Sequence, residues 1–183
     1  MRAWKNWLPT AALLATGFLS GCGGTDAPQE PRTLVNGRYI NNIAGVSLQV
    51  PGSWQSQLDY QSGTTTVDFM AVGPASGGVA PNVNVIIMKK QILSAPEVVV
   101  PLVRSELQKD PANRDYSDRV YQKDGHSVGE FIYTKDFTQG SLRLRQVYFV
   151  NRDKSIYITY TDSEAAFSGN AEFTAIDASM VIF

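Results

Sequence analysis

The sequence predicts an α+β fold, an antiparallel β-sheet of about six to seven strands flanked by helices. Three observations carry that prediction. Most of the chain alternates apolar and polar residues with period two, the spacing of side chains on one face of a strand. Asp124-Gly125 and Asn151-Arg-Asp-Lys154 lie between such runs, where tight hairpin turns belong. Two further segments place apolar residues at helical spacing with one apolar face each, so both should pack on the sheet.

In chain order, Val46, Leu48 and Val50 share one strand face and Ser47 and Gln49 the other, until Pro51-Gly52 breaks the run. Val67, Phe69 and Ala71 alternate with Asp68, Met70 and Val72. After the Gly- and Pro-containing loop 73–81 comes Val83 to Met88, apolar at nearly every position, as suits a central strand buried on both faces. Ser94-Ala-Pro-Glu97 has capping-box spacing, with Leu93 and Val98 as a hydrophobic staple. The helix it opens should bury Val98, Leu102, Val103 and Leu107 and end at Pro111. Pro101 conflicts with this, so either the helix kinks there or Pro101 is its first residue. Tyr116 to Lys123 and Glu130 to Lys135 flank the Asp124-Gly125 turn; Leu142 to Val150 and Ser155 to Tyr160 flank the second turn. A last helix, about Asn170 to Met180, carries Phe173, Ile176 and Met180 on one stripe.

The start of the chain belongs to targeting. Arg2 and Lys5 precede a mostly apolar stretch from Trp7 to Phe18, too short for a permanent span, which takes roughly 20 apolar residues. It ends in Leu19-Ser20-Gly21-Cys22, which resembles the lipobox of bacterial lipoproteins: an apolar residue, two small residues and the cysteine to be acylated. Cys22 is the only cysteine, so no disulfide partner competes for it. The resemblance implies a signal peptide over 1–21, cleavage before Cys22 and a lipid anchor of two or three acyl chains. Several chains hold stably where one holds marginally. Gly23, rather than Asp, after the cysteine implies the inner leaflet of the outer membrane, facing the periplasm. The polar, Gly- and Pro-rich stretch that follows reads as a flexible tether, so residues 22–36 are expected as lipidated cysteine and tether and 37–183 as one globular domain.

Composition narrows the chemistry. A net charge of −1 gives no field for nucleic acid. One histidine and one lipid-bearing cysteine cannot make the usual zinc site, and no Walker or dinucleotide phosphate loop is present, so neither metal nor cofactor is expected. Gly125-His-Ser-Val-Gly129 fits the nucleophile-elbow pattern, but that motif demands a helix after the serine and a histidine from elsewhere. A strand follows, and the sole histidine is His126, so a Gly-bounded hairpin is expected. Acidic residues, among them Asp59, Asp68, Glu130 and Asp136, are scattered, with no pair assembled by spacing. Arg143 and Arg145 lie two apart on one strand face; with Lys89, Lys90, Arg119 and Lys123 on other strands they form either a basic patch for an acidic partner or a solvated face. Trp54 and Tyr60 follow the Pro51-Gly52 break and belong either to the core or to a groove.

Tyr39-Ile-Asn-Asn-Ile-Ala-Gly-Val-Ser-Leu-Gln-Val-Pro-Gly-Ser-Trp54 resembles the opening of PsbP-like and DcrB-like domains. Val83-Asn-Val-Ile-Ile-Met88 before a capped helix, the Asp124-Gly125 hairpin, Ile156-Tyr-Ile-Thr-Tyr-Thr161 and the closing Ser179-Met-Val-Ile-Phe183 are similar in type. The resemblance implies an α/β/α sandwich on a twisted antiparallel sheet, in a fold whose members mostly act by binding diverse partners. No functional residue carries over by motif. The expectation is a non-catalytic envelope lipoprotein, an accessory or protein-binding module with Arg143, Arg145 and Trp54 as candidate contacts. Its partners are the membrane, through the anchor, and an envelope protein, with no nucleic acid. The alternatives are a carrier of a small apolar ligand in a sheet-helix crevice near Trp54 and an envelope hydrolase using an unrecognised carboxylate pair.

Overall fold

A computed structural model of the chain describes residues 32–62, 65–75, 78–89 and 95–183. Leu19, Ser20, Gly21 and Cys22 lie outside the described residues, as do Lys90, Leu93 and Ser94.

Among the described residues eleven strands form two sheets. Strands β4 (Gln55–Ser62), β5 (Thr65–Val72), β6 (Asn82–Lys89), β7 (Asn113–Lys123), β8 (His126–Phe137), β9 (Gly140–Asn151) and β10 (Lys154–Ser163) make a seven-stranded sheet in the order β4-β5-β6-β10-β9-β8-β7. Every pairing in it is antiparallel. The second sheet has four short strands, β1 (Arg32–Val35), β2 (Arg38–Asn41), β3 (Val46–Gln49) and β11 (Val181–Ile182), in the order β1-β2-β3-β11. A single sheet was expected, and the folded part was expected to begin at residue 37. It already includes Arg32, because Asn36 and Gly37, both at positive φ (50° and 74°), turn the chain so that Val35 faces Arg38.

The hairpins follow turn chemistry. Asp124 and Gly125 have φ of 51° and 78°, the left-handed pair that a two-residue turn takes when its twist matches the strands. The apolar run in β6 lies between β5 and β10 and is covered on both faces. The outermost strands each carry one aspartate in the left-handed region, Asp59 in β4 and Asp115 in β7, and at Asp115 the register slips between Arg114 and Ser117. Such irregularities twist an edge away from further pairing.

Helix α1 (Pro96–Leu107) covers one face of the large sheet. Val100 packs with Phe131 and Tyr148, and Leu107 with Tyr133, Leu142 and Leu144. The expected stripe was wrong for two of its members. Val98 and Leu102 are 43% and 50% exposed, while Pro96, Val100 and Leu107 are buried. Residues two apart on a helix point about 200° apart, so seating Val100 turns Val98 and Leu102 outward. Pro101 does lie inside the helix, on its exposed side, and Pro96 stands at its start. The other face is covered by the small sheet together with α2 (Glu164–Phe167) and α3 (Ala171–Ser179). Here Tyr39, Val46 and Leu48 meet Val85, Val147, Phe149 and Ile156, with Phe173 and Ile176 of α3 and Met180 just past its end closing the core. Asn170 caps α3 by accepting from the amides of Glu172 and Phe173.

Two clasps fix the small sheet. Arg32, 5% exposed in its side chain, donates to Asp68 Oδ1 at 2.8 Å and to both oxygens of Asp59 at 2.7 and 2.6 Å. Tyr39 donates to the other oxygen of Asp68, and its hydroxyl is held well above the ordinary phenol value, by burial first and by that carboxylate second. At the other edge Asn151 Nδ2 donates to the carbonyls of Gly45 and Phe183, each at 3.0 Å, and the Phe183 amide donates to Gly45 O. Gly45 has φ 66°, and a Cβ there would meet Phe183 O, so only glycine fits.

Candidate binding cleft

The side chains of β8, β9 and β10 that face the small sheet change character along the strands. Cross-strand register puts Glu130 beside Val147 and Arg119, Ile132 beside Arg145, and Thr134 beside Arg143, which in turn faces Asp162. Beyond the apolar core Arg119, Glu130, Ile132, Arg143, Arg145 and Tyr160 floor a cleft of about 410 Å³. Its wall is the α2–α3 segment, through Phe167, Ser168, Asn170, Phe173, Thr174 and Asp177.

Glu130 organises the charges. Its side chain is 4% exposed, yet both oxygens are occupied: Oε1 accepts from Arg119 Nε at 2.7 Å and Oε2 from Arg145 Nε at 2.5 Å. Arg145 also reaches Asp177 Oδ1 at 3.2 Å and lies over the Tyr160 ring, 5.2 Å from its centroid. Burial opposes the charge on Arg145, but Asp177 and Glu130 outweigh it and raise its pKa. Arg119 is raised as well, chiefly by its hydrogen bond to Glu130. Tyr160 is pushed up by burial and then by Asp177, so its hydroxyl stays protonated.

Arg143 stands apart. One of its terminal nitrogens donates to Thr134 Oγ1 at 2.8 Å and to Asp115 O at 3.1 Å. Among the described residues no carboxylate lies within ion-pair distance of it. Asp162, its cross-strand neighbour, is taken by the Ser163 amide and by Asn170 Nδ2. Outside the cleft, Arg114 of β7 donates to Glu164 of α2 at 2.8 and 2.7 Å, and so ties the wall to the sheet.

The structure thus brings Arg143, Arg145 and Arg119 to one place. Lys89 is excluded from it, because its register partner is Lys154, at the opposite end of the sheet. Trp54 is also elsewhere. It is 5% exposed, its ring meets Phe173 edge-on at 6.0 Å, and its Nε1 donates to Glu172 Oε2 at 2.8 Å. Gly73 lies so close that a Cβ there would come within 2.7 Å of the indole. At 5% exposure the indole offers a partner little surface, and Phe173, Glu172 and Gly73 pack against it.

The serine of the Gly125–Gly129 pattern sits on β8 and donates to Glu97 of α1. Each flanking glycine has a structural task. Gly125 makes the turn, and at Gly129 a Cβ would stand 2.8 Å from Val100 Cγ2, so its absence lets α1 approach the sheet. In the cleft, Glu130 and Asp177 form a carboxylate pair that spacing could not reveal, bridged by the single guanidinium of Arg145 as Asp59 and Asp68 are by Arg32. Two-carboxylate hydrolysis asks one carboxyl to carry a proton. Both oxygens of Glu130 instead accept from guanidinium groups, which do not give up protons.

No family model matches the chain, and no curated protein matches it. Solved structures do resemble it. One is LpqN, described as involved in cell envelope biogenesis of Mycobacterium tuberculosis: 17% identical, TM-score 0.59, over 75% of this chain and 82% of that one. Another is the cyanobacterial PsbP, CyanoP, from Synechocystis sp. PCC 6803: 15% identical, TM-score 0.56, over 90% of this chain and 99% of that one. At such identities the likeness speaks for architecture alone. The seven-stranded antiparallel sheet packed with helices is a PsbP-like α+β fold.

Proposed function

We propose that this chain is a lipid-anchored envelope module that acts by binding a protein partner rather than by catalysis. In this reading it is cut before Cys22, acylated there, and faces the periplasm from the inner leaflet of the outer membrane. The lipobox supports the anchoring, and the likeness to LpqN, a protein tied by its description to envelope biogenesis, supports the compartment. The observation that carries the binding role is the cleft itself. It is open to solvent at Arg119, Ser168 and Thr174, and its buried carboxylate is spent on holding arginines in place.

The test is site-specific photocrosslinking in intact envelopes. A crosslinker replacing Ser168 at the cleft mouth should capture a defined protein, and one replacing the exposed Gln55 on the far edge strand should not. Equal capture from both places, or a bound metabolite in place of any protein, overturns the binding role. Mass spectrometry of the native product addresses the anchor separately, since an unacylated Cys22 removes it.

A further inference from the structure

The formal charges lining the cleft do not cancel. Among the lining residues Arg119, Arg143 and Arg145 stand against Glu130 and Asp177, leaving one positive charge over; Glu164 outside the lining also feels Arg143, but both its oxygens are taken by Arg114. Contacts locate the surplus, because Arg145 holds both carboxylates, Arg119 shares Glu130, and Arg143 holds none. Half-buried beside Phe167 and Ile132, Arg143 keeps its second terminal nitrogen without a partner among the described residues.

We infer that Arg143 is the anchor for a carboxylate on an acidic peptide segment of the partner. A monoanion balances the surplus, and a carboxylate matches the planar face of a guanidinium in two parallel hydrogen bonds. A phosphate dianion fits less well, since it would overcompensate and face Glu130 and Asp177 at close range. The half-buried Phe167 ring and the Ile132 side chain give the stem of a glutamate an apolar surface to lie on. The open mouth admits a chain passing through rather than enclosing a small molecule. This inference rests on the binding role proposed above and specifies its chemistry.

The experiment titrates fluorescein-labelled hexaglutamate into the full-length protein and follows anisotropy at moderate salt. Hexaglutamate should bind, and hexaglutamine should not. Arg143→Gln should weaken binding about tenfold or more, and Arg143→Lys should fall between, keeping the charge without the fork. Arg38→Gln, on the exposed face of the small sheet, should bind as the parent does, and melting curves confirm that each variant is folded. Unchanged binding by a folded Arg143→Gln, or inorganic phosphate competing better than glutarate, overturns the inference. Glutarate competing as well as hexaglutamate itself overturns the peptide assignment. Hexaglutamate failing to bind while the cleft crosslinker still captures a protein overturns the acidic chemistry alone. Hexaglutamate binding without any captured protein overturns the partner instead.

Discussion

On the face of the large sheet that meets the small one, β8, β9 and β10 present Val128, Phe149 and Ile156 at one end and Thr134, Arg143 and Asp162 at the other. The strands, the pairing and the alternation are the same. The cover differs. At the apolar end the small sheet and α3 close down, and Phe149 and Ile156 are fully buried. At the polar end the α2–α3 segment stands off, and ion pairs cross the gap beside the Phe173 and Phe167 rings. An apolar surface is satisfied by whatever excludes water, so it accepts many covers. A buried carboxylate is satisfied only by donors in fixed places, so the charged end prescribes its own geometry. The PsbP-like frame therefore keeps its core at one end and holds an opening ordered by ion pairs at the other.

The contrast can be tested from both ends. The heaviest loss should follow Glu130→Ala, about 4 kcal/mol in urea unfolding, because it removes the nearer of the two carboxylates that hold Arg145 in a nearly buried position. Replacing Glu130 and Arg145 together by methionine should cost less than Glu130→Ala alone. If the double variant costs more, mutual pairing is not what holds that end. Ile176→Ala, at the apolar end, should cost about 3 kcal/mol through lost burial and a residual cavity, with no change in hexaglutamate affinity. A milder loss of about 2 kcal/mol is expected for Gly129→Ala on the opposite face, where the new methyl must displace Val100. Valine at 100 cut back to alanine should relieve it, and an additive pair of losses would count against the close approach.

The smallest effect lies in the acid range. Arg114 holds the Glu164 carboxyl below its ordinary value of 4.5, and Asp136 lies below 3.8 through the Ser141 hydroxyl and then Arg114. With folded values depressed, the unfolded chain binds more protons between the two values, so stability rises with pH there. The contribution is whole above the ordinary carboxylate range and disappears as pH falls through the folded values. Melting temperatures taken from about pH 6 down to about pH 2.5 should fall less steeply for Arg114→Ala than for the parent. Parallel curves would mean that the Arg114 ties do not couple to folding.

Local signals in the sequence reported local structure well. Asp124-Gly125 marked its hairpin, the mostly apolar run 83–88 marked an inner strand, and the 173, 176, 180 stripe marked the buried side of α3 and its C-terminal end. Alternation marked β3 of the small sheet, but β1, β2 and β11 escaped because they are two to four residues long, too short for periodicity to register. Asn36-Gly37 was the available clue, being a strong hairpin dipeptide, but it sat where composition suggested a tether. The α1 face was ambiguous because apolar residues occupy 98–100 and 102–103, leaving several phases open. Arg143 and Arg145 were readable as one strand face. Their difference was not, since it depends on Glu130, brought beside them by the β8–β9 register, and on Asp177 from another element.

The Arg32 clasp also decides how the body answers a pull. The strand it begins is the outer one of the small sheet, held to β2 by four facing residue pairs. Tension arriving along the backbone ahead of it would unzip those pairs one after another. Instead the load reaches a guanidinium gripped by Asp59 of β4 and Asp68 of β5, and is handed straight to the broad sheet. A leash tied ahead of Arg32 would thus pull on a charged grip before it pulled on a hairpin.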